Sequence, residues 1–395
     1  MAYRIMFVLT PRFHPNEGGV QMTTYKLSKW FAEAGHSVGI FSFQTDGHID
    51  QTFAEVFTPA HRHSLPCGLD VDALQLALRQ FRPNVVINQM PYEHRIGDTL
   101  RKFNPPLLLG CLRNTLFSVK NNLDGFASQV FPSKISKIFQ NQVGRALLLL
   151  YHRSRHNRDL KRILATYDYF VMFAPQNIEE LRFFVPDFKQ TRIKLVPNSI
   201  PAVLDEVPKK DKRLLWLGRV VDHQKRADLI LPLWEKVQAA LPDWEFDVVG
   251  NGPASDELNR VLSTKGIKGL TLHGRKEPND FFRRSTIYVM TSAFEGFPNT
   301  LVEAQSFGAI PVLFNSFPVA EFIVSDGVDG ALVQPFDLDA MAERIIAIAK
   351  SEQRIELAAN ALRSARRFQI DTIGEQWLRL FDECLQLNRA RRMKS

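Results

Sequence analysis

The sequence predicts an α/β protein of two doubly wound parallel sheets facing a cleft. Three observations carry that expectation. At 395 residues the chain is too long for one ordinary core. Both halves open on a strand, a glycine-containing loop and a helix: Arg4–Thr10, Gly18-Gly19 and Val20–Ala34 in the first, Leu214–Leu217, Gly218 and Ala227–Ala240 in the second. Further short apolar runs alternate with helical patterns, which demands parallel pairing, and no short-period repeat interrupts them. The expected divisions are an α/β domain over 1–200, a second over 201–370, and a terminal helical segment over 371–395.

An apolar fraction of 45% with 23% charged residues is that of a soluble globular protein. Met1-Ala-Tyr-Arg4 leads straight into a strand pattern, not a signal peptide, and no apolar run reaches membrane-spanning length. Cys67, Cys111 and Cys384 are widely spaced and form no CxxC, which points to a reducing, cytoplasmic compartment. The net charge of +8 is uneven: from Ser118 to Arg162, nine Lys or Arg stand against Asp124 and Asp159, a net of +7. Phenylalanines interleave with these lysines, and Arg145–Arg155 continues the stretch as a helical pattern. Such a segment is either a solvated helix over an ordinary core face, or a surface that meets a phosphate-bearing acceptor or lies on anionic lipid, as at the cytoplasmic face of an inner membrane. No RNA-stacking motif accompanies it, so nucleic acid is not an expected partner.

Along the first half, the helix ending at Ala34 has Gly35 placed for a left-handed C-terminal cap. Gly18-Gly19 permits close approach of backbone to a ligand, or makes a plain tight turn. Ser37–Phe43, Asn84–Gln89, Pro106–Leu112, Tyr169–Phe173 and Arg192–Val196 are further strands. Paired aspartates can hold a metal-bound nucleotide diphosphate, but Asp70 and Asp72 open the helix Val71–Phe81, and Asp337 and Asp339 precede Met341–Ala349. There they read as N-caps and first-turn acids, and no metal ligand set is expected. Pro197–Pro201 and the charged run Pro208–Lys212 read as the linker. In the second half Phe246–Val249, Leu270–Leu272, Ser285–Met290 and Ile310–Phe314 are strands, and Ile373–Leu387 is a terminal helix with Trp377 and Phe381 on its apolar face.

The chemistry concentrates in Glu295-Gly-Phe-Pro-Asn-Thr-Leu-Val-Glu303, which follows the strand Ser285–Met290 and opens a helix at Asn299 or Thr300. Backbone amides at a helix N-terminus beside a strand's carboxyl end receive anions. The two glutamates are poor phosphate ligands and better acceptors for sugar hydroxyls. Thr300 and Glu303 also spell a capping box, which needs no substrate. Gly218-Arg219, with Lys225 six residues beyond Arg219, suits a diphosphate. Gly250-Asn-Gly252 lacks the third glycine of a dinucleotide fingerprint.

In sum these residues resemble the retaining glycosyltransferases of family 4, of the bacterial polysaccharide and lipopolysaccharide type. The resemblance is carried by Gly218-Arg219 with Lys225, Val249–Pro253, His273-Gly274-Arg275, Phe294–Ala304, Gly308–Val312 and Glu321, and more weakly by Gly18-Gly19 and Pro197-Asn198. It implies the GT-B fold, two Rossmann-like domains with the acceptor on the first and a UDP- or GDP-sugar on the second. Arg219 and Lys225 would meet the diphosphate, Glu295 the transferred sugar and Glu303 the ribose; Arg219, Lys225 and Glu295 would be the catalytic groups. Gly18, Gly19 and Gly218 would approach the diphosphate, Gly274-Arg275 would lie near the base, and backbone amides of Phe297, Pro298, Asn299, Thr300 and Leu301 would add to the sugar and phosphate contacts; Gly250 and Gly296 would also belong to the donor site. No cofactor or metal is implied. The terminal helix would pack back on the first domain.

Two departures stand out. Members often carry glycine where Arg226 follows Lys225, so the local loop is expected to differ. A histidine common in the acceptor domain is replaced by Arg113, and His94 is a second acceptor-side candidate, with a solvated surface histidine as its plain alternative. The expected activity is transfer with retention to a glycan or lipid-linked acceptor. A GT-B epimerase or phosphorylase, or a non-catalytic sugar-nucleotide binding protein, would share the same residues.

Overall fold

The computed structural model describes residues 2–12, 18–44, 54–57, 70–112, 114–120, 123, 127 and 141–393. The chain divides into two units: residues 1–113, 151–199 and 370–395, and residues 114–150 and 200–369.

The sheet of the first unit comprises β1 (Arg4–Arg12), β2 (Ser37–Gln44), β3 (Glu55–Phe57), β4 (Val85–Asn88), β5 (Leu107–Cys111), β6 (Tyr169–Met172) and β7 (Ile193–Leu195). Their order is β3-β2-β1-β4-β5-β6-β7, with every neighbouring pair parallel. β4 and β5 are buried at every residue, which is why they read as unbroken apolar runs. The helices that intervene in the chain are α1 (Gly19–Glu33), α2 (Val71–Phe81), α3 (His94–Phe103), α4 (Gln142–Thr166, whose residues 142–150 fall in the second unit) and α5 (Gln176–Phe184). α1 ends in a Schellman arrangement: Gly35 takes φ 85°, its N–H donates to Ala32 O, and His36 N–H donates to Phe31 O, both at 3.0 Å. Asp70 caps α2 by accepting from Ala73 N–H at 2.9 Å.

The second unit's strands are β8 (Asp211–Leu217), β9 (Glu245–Val249), β10 (Leu270–Leu272), β11 (Ser285–Met290), β12 (Ile310–Phe314) and β13 (Ala331–Val333), in the order β10-β9-β8-β11-β12-β13 and again all parallel. Its helices are α6 (Asp222–Lys225), α7 (Ile230–Gln238), α8 (Ser255–Lys265), α9 (Asn279–Arg284), α10 (Asn299–Ser306), α11 (Ala320–Ile323), α12 (Leu338–Lys350) and α13 (Arg354–Ala365). Asp337 caps α12 through Ala340 N–H at 2.9 Å.

Two elements differ from their expected bounds. Asp211 and Lys212 are strand, not linker: β8 begins at Asp211, and next to them Arg213 is held by Asp247 of β9 at 2.9 Å. The helix expected over 227–240 is shorter. Residues 227–229 form a 3₁₀ turn and α7 starts at Ile230, which leaves Pro232 in the first turn, where a missing N–H is tolerated.

The last helix, α14 (Ile370–Arg392), belongs to the first unit. Trp377, Phe381 and Cys384 are buried in that unit's core, with Phe381 edge-on to Tyr3 at 5.5 Å. A Cβ on Gly374 would lie 2.4 Å from the Trp30 ring, so glycine is what lets α14 approach this closely. Cys111 and Cys384 are buried thiols, and Cys67 lies outside the described residues. Among the described residues no helix is long and apolar enough to cross a membrane.

Candidate functional site

The second sheet reverses its winding between β8 and β11, and open α/β sheets bind ligands beyond the carboxyl ends of strands at such a point. β8 runs into Gly218-Arg219, and β11 into the loop 291–298. Lys225, the last residue of α6, and Glu295 of that loop meet there. Nζ lies 2.6 Å from Oε1, with the side chains 17% and 9% exposed. At that burial the pairing is obligatory, because an ionised group left alone so far from water carries a penalty of several kcal/mol.

Hydrogen bonds fix the pair from behind. The Trp216 indole donates to Thr291 Oγ1 at 2.9 Å, and the Thr291 hydroxyl donates to the Lys225 carbonyl at 2.7 Å. Ala293 N–H donates to the Gln224 carbonyl at 2.7 Å. α6 is a single turn and has little stability of its own. These bonds fasten it to the loop after β11. Gly218 packs on the lysine stem, where a Cβ would sit 3.4 Å from Lys225 Cε. Arg219 is exposed beside them.

Arg226 stands where the resemblance led glycine to be expected. It takes φ 52° and ψ 50°, the left-handed conformation that glycine favours. Its guanidinium grips Asp228 in a two-bond fork of 2.9 and 2.8 Å and lies 5.0 Å from the Phe336 ring centre.

The neighbouring strand-end loops are laced together. Gly218 N–H donates to Val249 O at 3.0 Å, Val220 N–H to Asn251 O at 3.1 Å, and Gly250 N–H to Gly274 O at 2.8 Å. A Cβ on Gly250 would fall 1.8 Å from the Gly218 carbonyl. The space beside Gly250 is thus filled by the protein's own backbone rather than left for a ligand. Gly274, at φ 64°, faces open space, with Arg275 exposed next to it.

α10 begins at Asn299 with Pro298 as its N-cap and no side-chain cap bond. The capping box therefore does not form: Thr300 is the second helical residue and Glu303 the fifth. Thr300 Oγ1 instead pairs with the Tyr288 hydroxyl at 2.8 Å, and that hydroxyl also reaches the Leu217 carbonyl at 3.4 Å. Burial pushes the Tyr288 phenol well above its usual range, and the nearby Glu295 and Glu303 carboxylates add to the rise. The expected row of amides also narrows. Pro298 has no N–H, and Leu301 N–H already donates to Pro298 O at 3.0 Å. Gly296 and the Phe297 and Leu301 side chains are buried, Phe297 edge-on to Phe368 at 5.5 Å. Asn299, Thr300 and Glu303 remain partly exposed.

The first-unit candidates stand elsewhere in the chain. Gly18 and Gly19 are exposed at the start of α1. His94 opens α3 with Nε2 3.3 Å from Asp159 Oδ1, a paired histidine rather than a solvated one. Arg113 lies outside the described residues. Trp216, Tyr288 and Thr291 went unnoticed in the sequence. The available signal was a polar-tipped aromatic inside an otherwise aliphatic buried strand, since its N–H or O–H must find a partner.

Residues 211–351 match the family model for glycosyl transferases group 1. A GalNAc-alpha-(1->4)-GalNAc-alpha-(1->3)-diNAcBac-PP-undecaprenol alpha-1,4-N-acetyl-D-galactosaminyltransferase of Campylobacter jejuni is 27% identical over 198 residues, 49% of this chain and 55% of that protein. The chain thus matches about half the length of that relative. Among solved structures, the sucrose-phosphate synthase of Thermosynechococcus elongatus aligns with a TM-score of 0.73 at 16% identity, covering 97% of this chain and 99% of the other. Anabaena HepE, solved with UDP and glucose, aligns at 0.70 and 15% identity, covering 96% and 99%. The fold is GT-B. In GT-B terms, the Lys225–Glu295 pair lies in the unit that contains the matched family region.

Proposed function

We propose that this GT-B protein is a retaining glycosyltransferase of family 4. It would move a sugar from a nucleotide-diphosphate sugar to a glycan or lipid-linked acceptor in cell-surface polysaccharide biosynthesis. The observation that carries the reading is the buried Lys225–Glu295 pair at the sheet reversal, in the loop that leads into α10. A UDP donor is favoured by the UDP bound in the Anabaena neighbour, and a lipid-linked acceptor by the undecaprenol glycan in the Campylobacter relative's name. Retention rests on the resemblance to family 4.

Transfer leaves negative charge on the departing diphosphate and positive charge on the anomeric carbon. An ammonium has three donors; Glu295 takes one from Lys225 and leaves two for diphosphate oxygens. Arg219 supplies a planar fork that matches phosphate, and the Asn299 and Thr300 amides lie at the positive end of α10. Each charge-assisted hydrogen bond contributes roughly 1.5–3 kcal/mol, and the helix terminus ~0.3–2 kcal/mol. At about 1.36 kcal/mol per tenfold in rate, two such bonds and the helix supply at least two orders of magnitude. This neutralisation calls for no divalent metal, so turnover is expected to persist in EDTA. Glu295 keeps one oxygen for a donor-sugar hydroxyl, and Glu303 is assigned to the ribose.

Incubating the purified protein with UDP- and GDP-sugars, with and without a bacterial lipid extract, tests the reading. The expected result is release of nucleotide diphosphate that requires the extract. Release of free sugar without it, or a donor that binds and is never consumed, contradicts transfer.

A further inference from the structure

Tyr288 is sealed inside the second unit at 1% exposure, yet its hydroxyl is where two strand-end structures meet. It lies 2.8 Å from Thr300 Oγ1 in the first turn of α10. At 3.4 Å, the longer and weaker bond, it reaches the carbonyl of Leu217, the last residue of β8 before Gly218-Arg219. A carbonyl only accepts and a phenol has one proton, so the Tyr288 O–H donates to Leu217 and accepts from the Thr300 hydroxyl. Burial, with the Glu295 and Glu303 carboxylates nearby, holds that proton in place. One buried hydroxyl thus ties the end of β8 to the start of α10.

The same arrangement leaves α10 open at its N-terminus. Pro298, the N-cap, makes no side-chain cap bond, and the Thr300 hydroxyl is turned to Tyr288. The Thr300 N–H has no acceptor among the described residues. Thr300 is partly exposed, so that acceptor comes from solvent or from a ligand. A diphosphate bridging this amide and Arg219 would touch both ends of the tie, and the hydroxyl of Tyr288 lies between them.

We infer that Tyr288 is a positioning residue for the donor's diphosphate: without touching the ligand, its hydroxyl sets the Thr300 amide against Gly218-Arg219. The inference rests on the donor reading above. A side chain this deeply buried does not meet a substrate, so any effect of its hydroxyl on binding passes through Thr300 and Leu217. Tyr288→Phe keeps the ring and deletes the hydroxyl, and Thr300→Val deletes the other half of the bond at nearly constant volume. UDP and GDP are titrated by calorimetry into the wild type, the single variants and Tyr288→Phe/Thr300→Val. Each titration is run well below that protein's unfolding midpoint, where a merely structural role leaves affinity unchanged. The nucleotide that binds the wild type should bind Tyr288→Phe and Thr300→Val about fivefold or more weakly. Both changes break one bond, so the double variant should be weaker than the weaker single variant by no more than about twofold. Thr300→Ser, which keeps the hydroxyl, should bind as the wild type does. Wild-type affinity in Tyr288→Phe or Thr300→Val, or losses that multiply in the double variant, overturns the inference. So does a loss in Thr300→Ser equal to that in Thr300→Val. A wild type that binds neither nucleotide overturns the donor reading, and this inference with it.

Discussion

At Lys225 the proposed chemistry and the stability of the second unit meet in one ammonium. Its partner Glu295 is nearly sealed from water, so removing the lysine leaves a buried carboxylate with no counter-charge. Lys225→Ala should therefore destabilise the protein by about 3 kcal/mol as well as abolish turnover. Lys225→Met/Glu295→Leu should regain most of that stability and stay inactive. Urea unfolding of the single and double variants separates the two effects, and an active double variant would contradict the assignment. Glu303 offers the converse case. It lies outside any capping box and is partly exposed, so Glu303→Gln should shift stability by no more than about 0.5 kcal/mol. The same change should raise the donor KM. A large fall in unfolding temperature with an unchanged KM would make Glu303 structural.

At the scale of elements, the site depends on how strand-end loops close on one another. Gly250 is filled by the Gly218 carbonyl, so Gly250→Ala should force the β8 and β9 loops apart and destabilise the protein by about 3 kcal/mol or more, read as a lowered midpoint in denaturant. Arg226 tests the left-handed turn. Arg226→Gly relieves backbone strain while losing the Asp228 fork, so the net change should be within about 1 kcal/mol. Arg226→Val places a β-branched residue at positive φ and should destabilise by about 1–3 kcal/mol.

Much of this architecture was legible in the sequence. β4, β5, β11 and β12 are buried parallel strands and announce themselves as apolar runs, and Gly35, Asp70 and Asp337 mark helix ends where they were expected. What the sequence concealed has physical reasons. The three-residue edge strands β3 and β13 were not expected, although β10, equally short and also at an edge, was. Pro232 is equally compatible with a helix starting just before it and with one it breaks. The helix start at Asn299 displaced the Thr300–Glu303 box because Thr300 found the Tyr288 hydroxyl, a partner twelve residues away that no local motif reports. Arg226 concealed a glycine-like turn behind a bulky side chain. The Lys225–Glu295 contact, seventy residues apart, is visible only once β8 and β11 are neighbours.

For the whole molecule, the two units contribute unequally to the proposed function. The unit that matches the glycosyl transferase family model also holds the paired charges, the sheet reversal and the open turn at Gly274. The other unit contributes paired or buried polar groups and the packing of α14. The exposed Arg219, beside the Lys225–Glu295 pair, is the group assigned to the donor's diphosphate. Calorimetric titration of UDP into the wild type and Arg219→Ala, with unfolding temperatures of both free proteins, tests it most directly. UDP should bind the wild type, Arg219→Ala should weaken it about tenfold or more through loss of ~1.5–3 kcal/mol, and the two free proteins should unfold at the same temperature. Equal UDP affinity in the two proteins would contradict it.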